Sequence, residues 1–329
     1  MNKELNILFL GGAKRVAMAG LFKAAAARAG LTANIFSYEL GPCEPIAAVA
    51  TVITGLRWRD PEVYSHLHEV CQANHITVMV PFVDAAVAVS AEYARCYRGE
   101  VFVPTGAAEI AETMFDKVLA AKIFAANNLP IPATWNGHSV TSPLIAKPRH
   151  GSASKGIRMV NGLDDLQALD NLDNYLIQER IDRRREITVD CYASVADGRV
   201  LAAVPRLRDE VSGGEVSRTS VRHWPEAQQL AAKVITSCSL RGAVTVQLIH
   251  DVDRDRLLVM EVNPRLGGGA VASVRAGADI PAMIIAEATG TTPAPCTDWQ
   301  DIVMTRYPQD VCFDANGRML PFNPLTDNE

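Results

Sequence analysis

The first hundred residues alternate short apolar runs with longer alanine-rich or amphipathic stretches, and no other feature restricts the fold as much. Ile7–Leu10, Ala33–Tyr38, Thr51–Thr54, Thr77–Pro81 and Val101–Pro104 read as strands. Val16–Ala29, Pro61–Asn74 and Asp84–Tyr97 read as helices, the first closed by Gly30 at a C-cap position. Strands interspersed with helices of this length predict a parallel sheet covered on both faces. Gly11-Gly12 after the first strand resembles a dinucleotide turn, but its spacing departs from GxGxxG and no acidic ribose ligand follows convincingly. A nicotinamide site is therefore not expected. The sheet is expected to act as a half-Rossmann scaffold bordering a substrate cleft.

The texture changes near Thr105. Ala107–Asn127 reads as one helix, stopped by Leu129-Pro130-Ile131-Pro132. Pro143–Pro148 reads as a strand that carries Lys147, and a small, polar loop, Arg149–Gly156, joins it to Ile157–Val160. A helix over Leu163–Leu169, a strand over Tyr175–Glu179 and a turn at Arg183–Arg185 follow. Glu186–Tyr192 alternates with period two, so Glu186, Thr188 and Asp190 are expected on one face and Ile187, Val189 and Cys191 on the other. Leu201–Val204, Val244–Ile249 and Leu257–Val262 read as further antiparallel strands, with turns at Asp197-Gly198 and Asp253–Asp255. Helices near Pro225–Ser239 and Pro281–Thr289 pack against them. Arg206–Arg218 reads as a charged, turn-rich loop, and the last thirty residues as an irregular appendage.

The composition narrows the function. The 329 residues are 48% apolar and 21% charged, ordinary for a soluble chain of two or three domains. A formal net charge of −5 argues against a nucleic-acid surface, and the basic run Arg180–Arg185 is broken by Ile181 and Asp182. No run of apolar residues is long enough to span a membrane, and the N-terminus lacks the pattern of a signal peptide. The seven cysteines are scattered without a CxxC pair, which fits reduced thiols in a cytoplasmic protein. A homodimer is compatible with all of this.

The chemistry concentrates in four places. Gln247 lies in one β-rich run, while Glu261 and Asn263 lie two apart in the next and so share a strand face. A carboxylate and two amide oxygens converging from neighbouring strands suit Mg²⁺, with Mn²⁺ as the alternative. Arg265 continues that face and adds a fixed guanidinium, the partner a polyphosphate needs. In the loop after Lys147, small residues including Ser152, Ser154 and Gly156 let backbone N–H groups approach phosphate. Gln178-Glu179-Arg180-Ile181 offers backbone groups to a base edge, and Glu186 offers a carboxylate to ribose hydroxyls. Arg206, Arg208 and Arg218 are candidates to clamp a carboxylate, Gly267-Gly268-Gly269 for an anion nest, and Asp84 for a ligand contact at a strand's C-terminal edge. The same features are also what solvated loops, surface ion pairs and tight turns produce.

In this order the motifs resemble the ATP-grasp superfamily, in the branch similar to the carbamoyl phosphate synthetase large subunit. The resemblance spans about residues 5 to 290 and rests on Asp116-Lys117, Ile145-Ala146-Lys147-Pro148 with its loop, Gln178–Ile181 with Glu186, Gln247, and Glu261-Val262-Asn263-Pro264-Arg265. It implies an α/β plus α+β chain: an N-terminal Rossmann-like parallel-sheet domain over 1–112, a small lid over 113–178, a large metal-bearing unit over 179–295, and an appendage over 296–329. It implies ATP and Mg²⁺ as cofactors. Lys117 and Lys147 look like the phosphate lysines, Glu179 and the Ile181 backbone like the adenine hinge, and Glu186 like the ribose ligand. Gln247, Glu261 and Asn263 look like the metal ligands, and Arg265 like the residue that steadies the transferring phosphoryl group or the acyl phosphate; Arg265, Lys147 and Arg218 are the catalytic candidates. Family members often carry an acid where this chain has neutral Gln247, which leaves the site less anionic. The implied reaction is carboxylate–amine ligation through an acyl phosphate, by an amino-acid or peptide ligase of a small biosynthetic pathway. Two rival expectations are a subunit that makes carbamoyl or acyl phosphate for a partner, and a nucleotide-binding regulatory module without turnover.

Overall fold

A computed structural model describes residues 4–138, 140, 143–151 and 155–320. The first sheet holds β1 (Glu4–Leu10), β2 (Thr32–Glu39), β3 (Thr51–Thr54) and β4 (Val78–Pro81), all parallel, in the order β3-β2-β1-β4. Helices α1 (Val16–Arg28), α2 (Val63–Ala73) and α3 (Asp84–Cys96) connect and cover it. Period two sorts β1 between two cores: Ile7 and Phe9 pack with Met18 and Phe22 of α1, while Leu8 and Leu10 pack with Leu67 of α2 and Tyr93 of α3. The expected fifth strand at Val101–Pro104 is reduced to a single bridge between Phe102 and Val78.

The single helix expected over Ala107–Asn127 is two, α4 (Ala108–Phe115) and α5 (Lys117–Ala126). Asp116 causes the break. Its backbone is extended, and its carboxylate caps α5 by accepting the Val118 and Leu119 N–H groups, each at 3.0 Å. A small antiparallel sheet follows, with β5 (Leu144–Pro148) between β6 (Arg158–Val160) and, after α6 (Leu163–Gln167), β7 (Tyr175–Glu179).

The large sheet contains β8 (Arg184–Ala193), β9 (Val200–Ser212), β10 (Glu215–Val221), β11 (Gly242–Asp251), β12 (Arg256–Asn263) and β13 (Ile302–Thr305). Helix α7 (Pro225–Ser237) precedes β11, and α8 (Ala270–Ala276) and α9 (Ile280–Ala288) precede β13. The strand order is β12-β11-β8-β9-β10-β13, antiparallel throughout. Two expectations change here. Arg183–Arg185 is not a closed turn, since Arg184 already starts β8. Arg206–Arg218 is not a loop but a hairpin, turned at Gly213-Gly214, whose polar residues are the alternate faces of two paired strands. The appendage also contributes a strand, β13, which covers the outer edge of β10.

One face of the large sheet is apolar. Ile187, Val189 and Cys191 of β8 pack with Val244, Val246 and Leu248 of β11, under Ala231 and Val234 of α7. At the other end, Ala270 and Val274 of α8 and Ile284 of α9 share one core with Phe9 and Phe22. The parallel sheet and the large sheet are thus joined by continuous apolar packing. Among the described residues, no helix is long and apolar enough to cross a membrane.

Candidate active site

With Ile187, Val189 and Cys191 turned into the core, pairing leaves a polar row on the opposite face. Glu261 of β12 faces Gln247 of β11, Gln247 faces Thr188 of β8, and Thr188 faces Arg206 of β9. The neighbouring row runs Asn263, Thr245, Asp190. A bulge on β12 after the Gln247–Glu261 pair re-aims the strand end, a device common beside active sites. The shared face expected for Glu186, Thr188 and Asp190 is therefore a plane on which four strands place their polar groups.

Glu261 is the focus of the first row. Its Oε1 accepts from Gln247 Nε2 at 2.5 Å and from Asn263 Nδ2 at 3.1 Å. Among the described residues, no group of three or more His, Cys, Asp or Glu side chains is placed to hold a metal. The donor set nevertheless fits Mg²⁺. It supplies one carboxylate and two amide oxygens, all hard, and Mg²⁺ is commonly held by one or two carboxylates with the rest of its shell from phosphate and water.

In front of Glu261 opens a cleft of about 1120 Å³. Its lining has two textures. Ile145, Ile157, Ile181, Ile249 and Met260 make an apolar slot, while Lys117, Lys147, Arg184 and Arg208 supply cations around Glu186 and Glu261. A flat aromatic base fits the first surface and a polyanion the second. Lys147 Nζ donates to Gln178 Oε1 at 3.1 Å, and Gln178 Nε2 donates to the Pro132 carbonyl, so a buried amide aims the ammonium. Burial pushes the Lys147 pKa down to about 8; Lys117 and Arg184 add to this and Glu261 opposes it. A polyanion would find its charge partly desolvated and unneutralised. Lys117 donates from Nζ to the Gly151 carbonyl at 2.6 Å, and Arg149 Nε donates to Asp116 at 2.6 Å, pinning the loop after β5 to the start of α5.

Glu179 lines the cleft, but its side chain is occupied. Oε1 accepts the Ala133 N–H at 2.8 Å and Oε2 accepts from Arg254 and Arg256 at 2.9 and 2.8 Å. Burial acts to raise its pKa, but Arg256, the Ala133 N–H and Arg254 outweigh it and hold the carboxyl below the usual range. The Glu179 side chain is therefore committed to the Ala133 N–H, Arg254 and Arg256, and Ile181 beside it is buried against Ile249. Glu186 lies 3.4 Å from both Arg184 and Arg208. Gly156 has a positive φ of +76° and sits against Pro148. Ser152 and Ser154 lie outside the described residues.

The substrate candidates separate. Arg208 lines the cleft with its Nε buried, 3.4 Å from Glu186 but without a hydrogen bond among the described residues, and burial lowers its pKa against the pull of Glu186. Arg206 does not reach the cleft. It is 3% exposed and pairs at 2.7 Å with Asp190, which also accepts from Ser273. Its guanidinium lies under the glycine turn, where a Cβ on Gly269 would come within 2.5 Å of it. Arg218 is half exposed, 3.9 Å from Glu210, and is not among the residues lining the cleft. A three-arginine clamp therefore does not form, because strand alternation and burial send the three side chains to different places. Asp84 accepts from Arg265 Nε at 2.5 Å, joining the start of α3 to the end of β12. The Gly268 carbonyl accepts from Arg306. Sequence reasoning missed Arg184, Arg254 and Arg256 as site partners and read Gln178 only as part of the hinge run, not as the partner of Lys147. Only Arg254 and Arg256, beside a turn facing an acid-bearing hinge, left a usable charge signal.

Residues 171–312 match a family described as ATP-grasp in the biosynthetic pathway with Ter operon. The alpha subunit of mitochondrial methylcrotonoyl-CoA carboxylase from Arabidopsis thaliana is 25% identical over 201 residues, which is 51% of this chain and 27% of that protein. The chain thus matches about a quarter of that relative's length. Among solved structures, N5-carboxyaminoimidazole synthetase from Staphylococcus aureus, complexed with ADP, aligns with a TM-score of 0.71 at 16% identity, over 92% of this chain and 82% of that one. The L-amino acid ligase from Bacillus licheniformis aligns with a TM-score of 0.64 at 17% identity, over 86% and 74%. At these identities the structural likeness is one of fold. The fold is the ATP-grasp fold. That is the fold which the order of the motifs implied, and residues 171–312 match a family that carries it.

Proposed function

We propose that this chain is an ATP-dependent carboxylate–amine ligase working through an acyl phosphate, in the class of amino-acid or peptide ligases. The observation that carries the reading is the Glu261–Gln247 pair opposite a desolvated Lys147, at the end of a cleft with an apolar slot and a cationic wall. The ADP bound in the S. aureus synthetase and the amino-acid activity in the name of the B. licheniformis enzyme support it.

A carboxylate is a poor electrophile and must be activated. In the proposed step, a carboxylate oxygen attacks the γ-phosphorus of ATP and ADP leaves. An amine then attacks the acyl carbon, phosphate leaves, and the amine gives up a proton. Lys147 and Arg208 offset charge on the transferred group, while Ile181, Ile249 and Met260 hold the base. Bound Mg²⁺ would be held by Glu261 with the Gln247 and Asn263 amides, and would screen phosphate charge. Pro148, His150, Gly151 and Lys155 line the cleft beside Lys147, a wall that would help keep water from the acyl phosphate.

The test is incubation with Mg-ATP and a panel of amino acids and amines, following ADP and phosphate. Release of both, only when an acid and an amine are present together, is the expected result. ADP binding without turnover across the panel would favour the regulatory module.

A further inference from the structure

The segment Arg180–Arg183 joins the small sheet to the large one and belongs to neither, since β7 ends at Glu179 and β8 starts at Arg184. It borders the cleft through Arg180, Ile181 and Asp182. No strand ladder fixes it, so its position depends on the contacts at its two ends. Those contacts come from the turn between β11 and β12. At the start of the segment, Glu179 is only 14% exposed, and its Oε2 accepts from Arg256 Nη2 at 2.8 Å and from Arg254 Nη1 at 2.9 Å. At its end, the Val252 N–H donates to the Arg183 carbonyl at 3.0 Å, and the Arg183 guanidinium pairs with Asp253 at 2.8 Å.

The turn is itself braced. Asp251, buried at the end of β11, accepts from Arg256 Nε at 3.0 Å, lies 3.5 Å from Arg254 Nη1, and accepts the Asp253 N–H at 3.2 Å. Arg256 therefore bridges two acids from different elements with one planar group, which fixes direction as well as distance. Neither Arg254 nor Arg256 is among the residues lining the cleft. The same hairpin carries the Gln247–Glu261 pair, with Gln247 and Asp251 on one strand, roughly 13 Å apart at the rise of a strand. An apolar slot alone takes either purine. The polar edge of the link can tell them apart only if it is held still, because adenine presents a donor where guanine presents an acceptor.

We infer that Arg254 and Arg256, acting through Glu179, position the 180–183 link against the apolar slot and so set how tightly and how selectively the cleft holds a nucleobase. They are positioning residues, since their side chains end on acids of the protein. This rests on the nucleotide reading of the cleft. One hairpin that carries both the metal donors and the clamp would keep the two ends of the cleft at a fixed separation.

The test is calorimetric titration of the full chain with Mg-ADP and with Mg-GDP, with thermal midpoints recorded alongside. Wild type is expected to bind ADP more tightly than GDP. Arg256→Ala should weaken ADP by about tenfold, the scale of one charge-assisted pair, and leave GDP nearly unchanged, so the preference shrinks. Arg256→Lys, which keeps the charge without the planar fork, should fall between. Adding Arg256→Ala to Glu179→Gln should lose no more ADP affinity than Glu179→Gln alone, because the two act through one contact. Should Arg256→Ala fail to fold, Arg256→Lys and Glu179→Gln read the same ADP-to-GDP ratio. An ion pair that only held the fold would lower the midpoint and weaken both nucleotides in proportion. That result, losses that add in the double variant, equal wild-type affinities for the two nucleotides, or an ADP affinity unchanged in Arg256→Ala overturns the clamp and leaves the nucleotide cleft standing. A wild type that binds neither nucleotide overturns the nucleotide reading and the clamp with it.

Discussion

Lys147 shows how one residue's surroundings decide its use. Its pKa of about 8 is set first by burial, and only partly restored by Glu261. In the unfolded chain it would titrate near the ordinary lysine value of about 10.4. Between those two values the unfolded chain holds a proton that the folded one has lost, so this residue makes stability rise with pH across that window. Phosphate binding at the proposed site would run the other way, because it needs the ammonium. ADP affinity should be level below pH 8 and fall by up to about tenfold per pH unit above it, and Lys147→Gln should flatten that slope. Calorimetric titration between pH 7 and 9.5 reads this directly. A wild-type slope no steeper than that of Lys147→Gln would remove Lys147 from the phosphate site.

At the scale of elements, the break at Asp116 joins fold to site. Its carboxylate caps α5 and also holds Arg149, while Lys117 next to it holds Gly151. Asp116→Ala should cost about 1 kcal/mol of stability from the lost cap and weaken nucleotide binding with it, as seen in urea midpoints and ADP affinity. An ADP affinity that stayed at the wild-type value would separate the cap from the cleft. This region also marks where sequence reading stops. The shared faces of Glu186 with Thr188 and of Glu261 with Asn263 were legible, because period two is a local property of any strand. The Asp116 break was not, since the flanks favour helix on both sides; its cap is local, and only its Arg149 partner comes from far along the chain. The β9–β10 hairpin was read as loop because Arg206, Arg208 and Asp209 look solvent-facing until Asp190, Glu186 and Ser220 are brought opposite them. Which arginine enters the cleft is a matter of register, and register is set by partner strands far away in sequence.

At the scale of the molecule, the parallel sheet and the large sheet meet at two levels. Apolar packing of α1 against α8 and α9 fuses them, and the ion pairs Arg15–Glu215 and Asp84–Arg265 cross the same junction, the second at the end of β12. The cleft is lined mainly from the two antiparallel sheets. Everything proposed for the chain depends on Glu261 being the metal-binding carboxylate of a nucleotide cleft, and Glu261→Gln removes that charge while keeping the side chain's shape. The deciding measurement is ADP affinity with and without Mg²⁺ in wild type and in Glu261→Gln, with thermal midpoints recorded alongside. Wild-type affinity should rise with Mg²⁺, and the variant should lose most of that gain, about tenfold or more, while its midpoint stays close to wild type. Equal Mg²⁺ dependence in the two proteins would contradict the assignment.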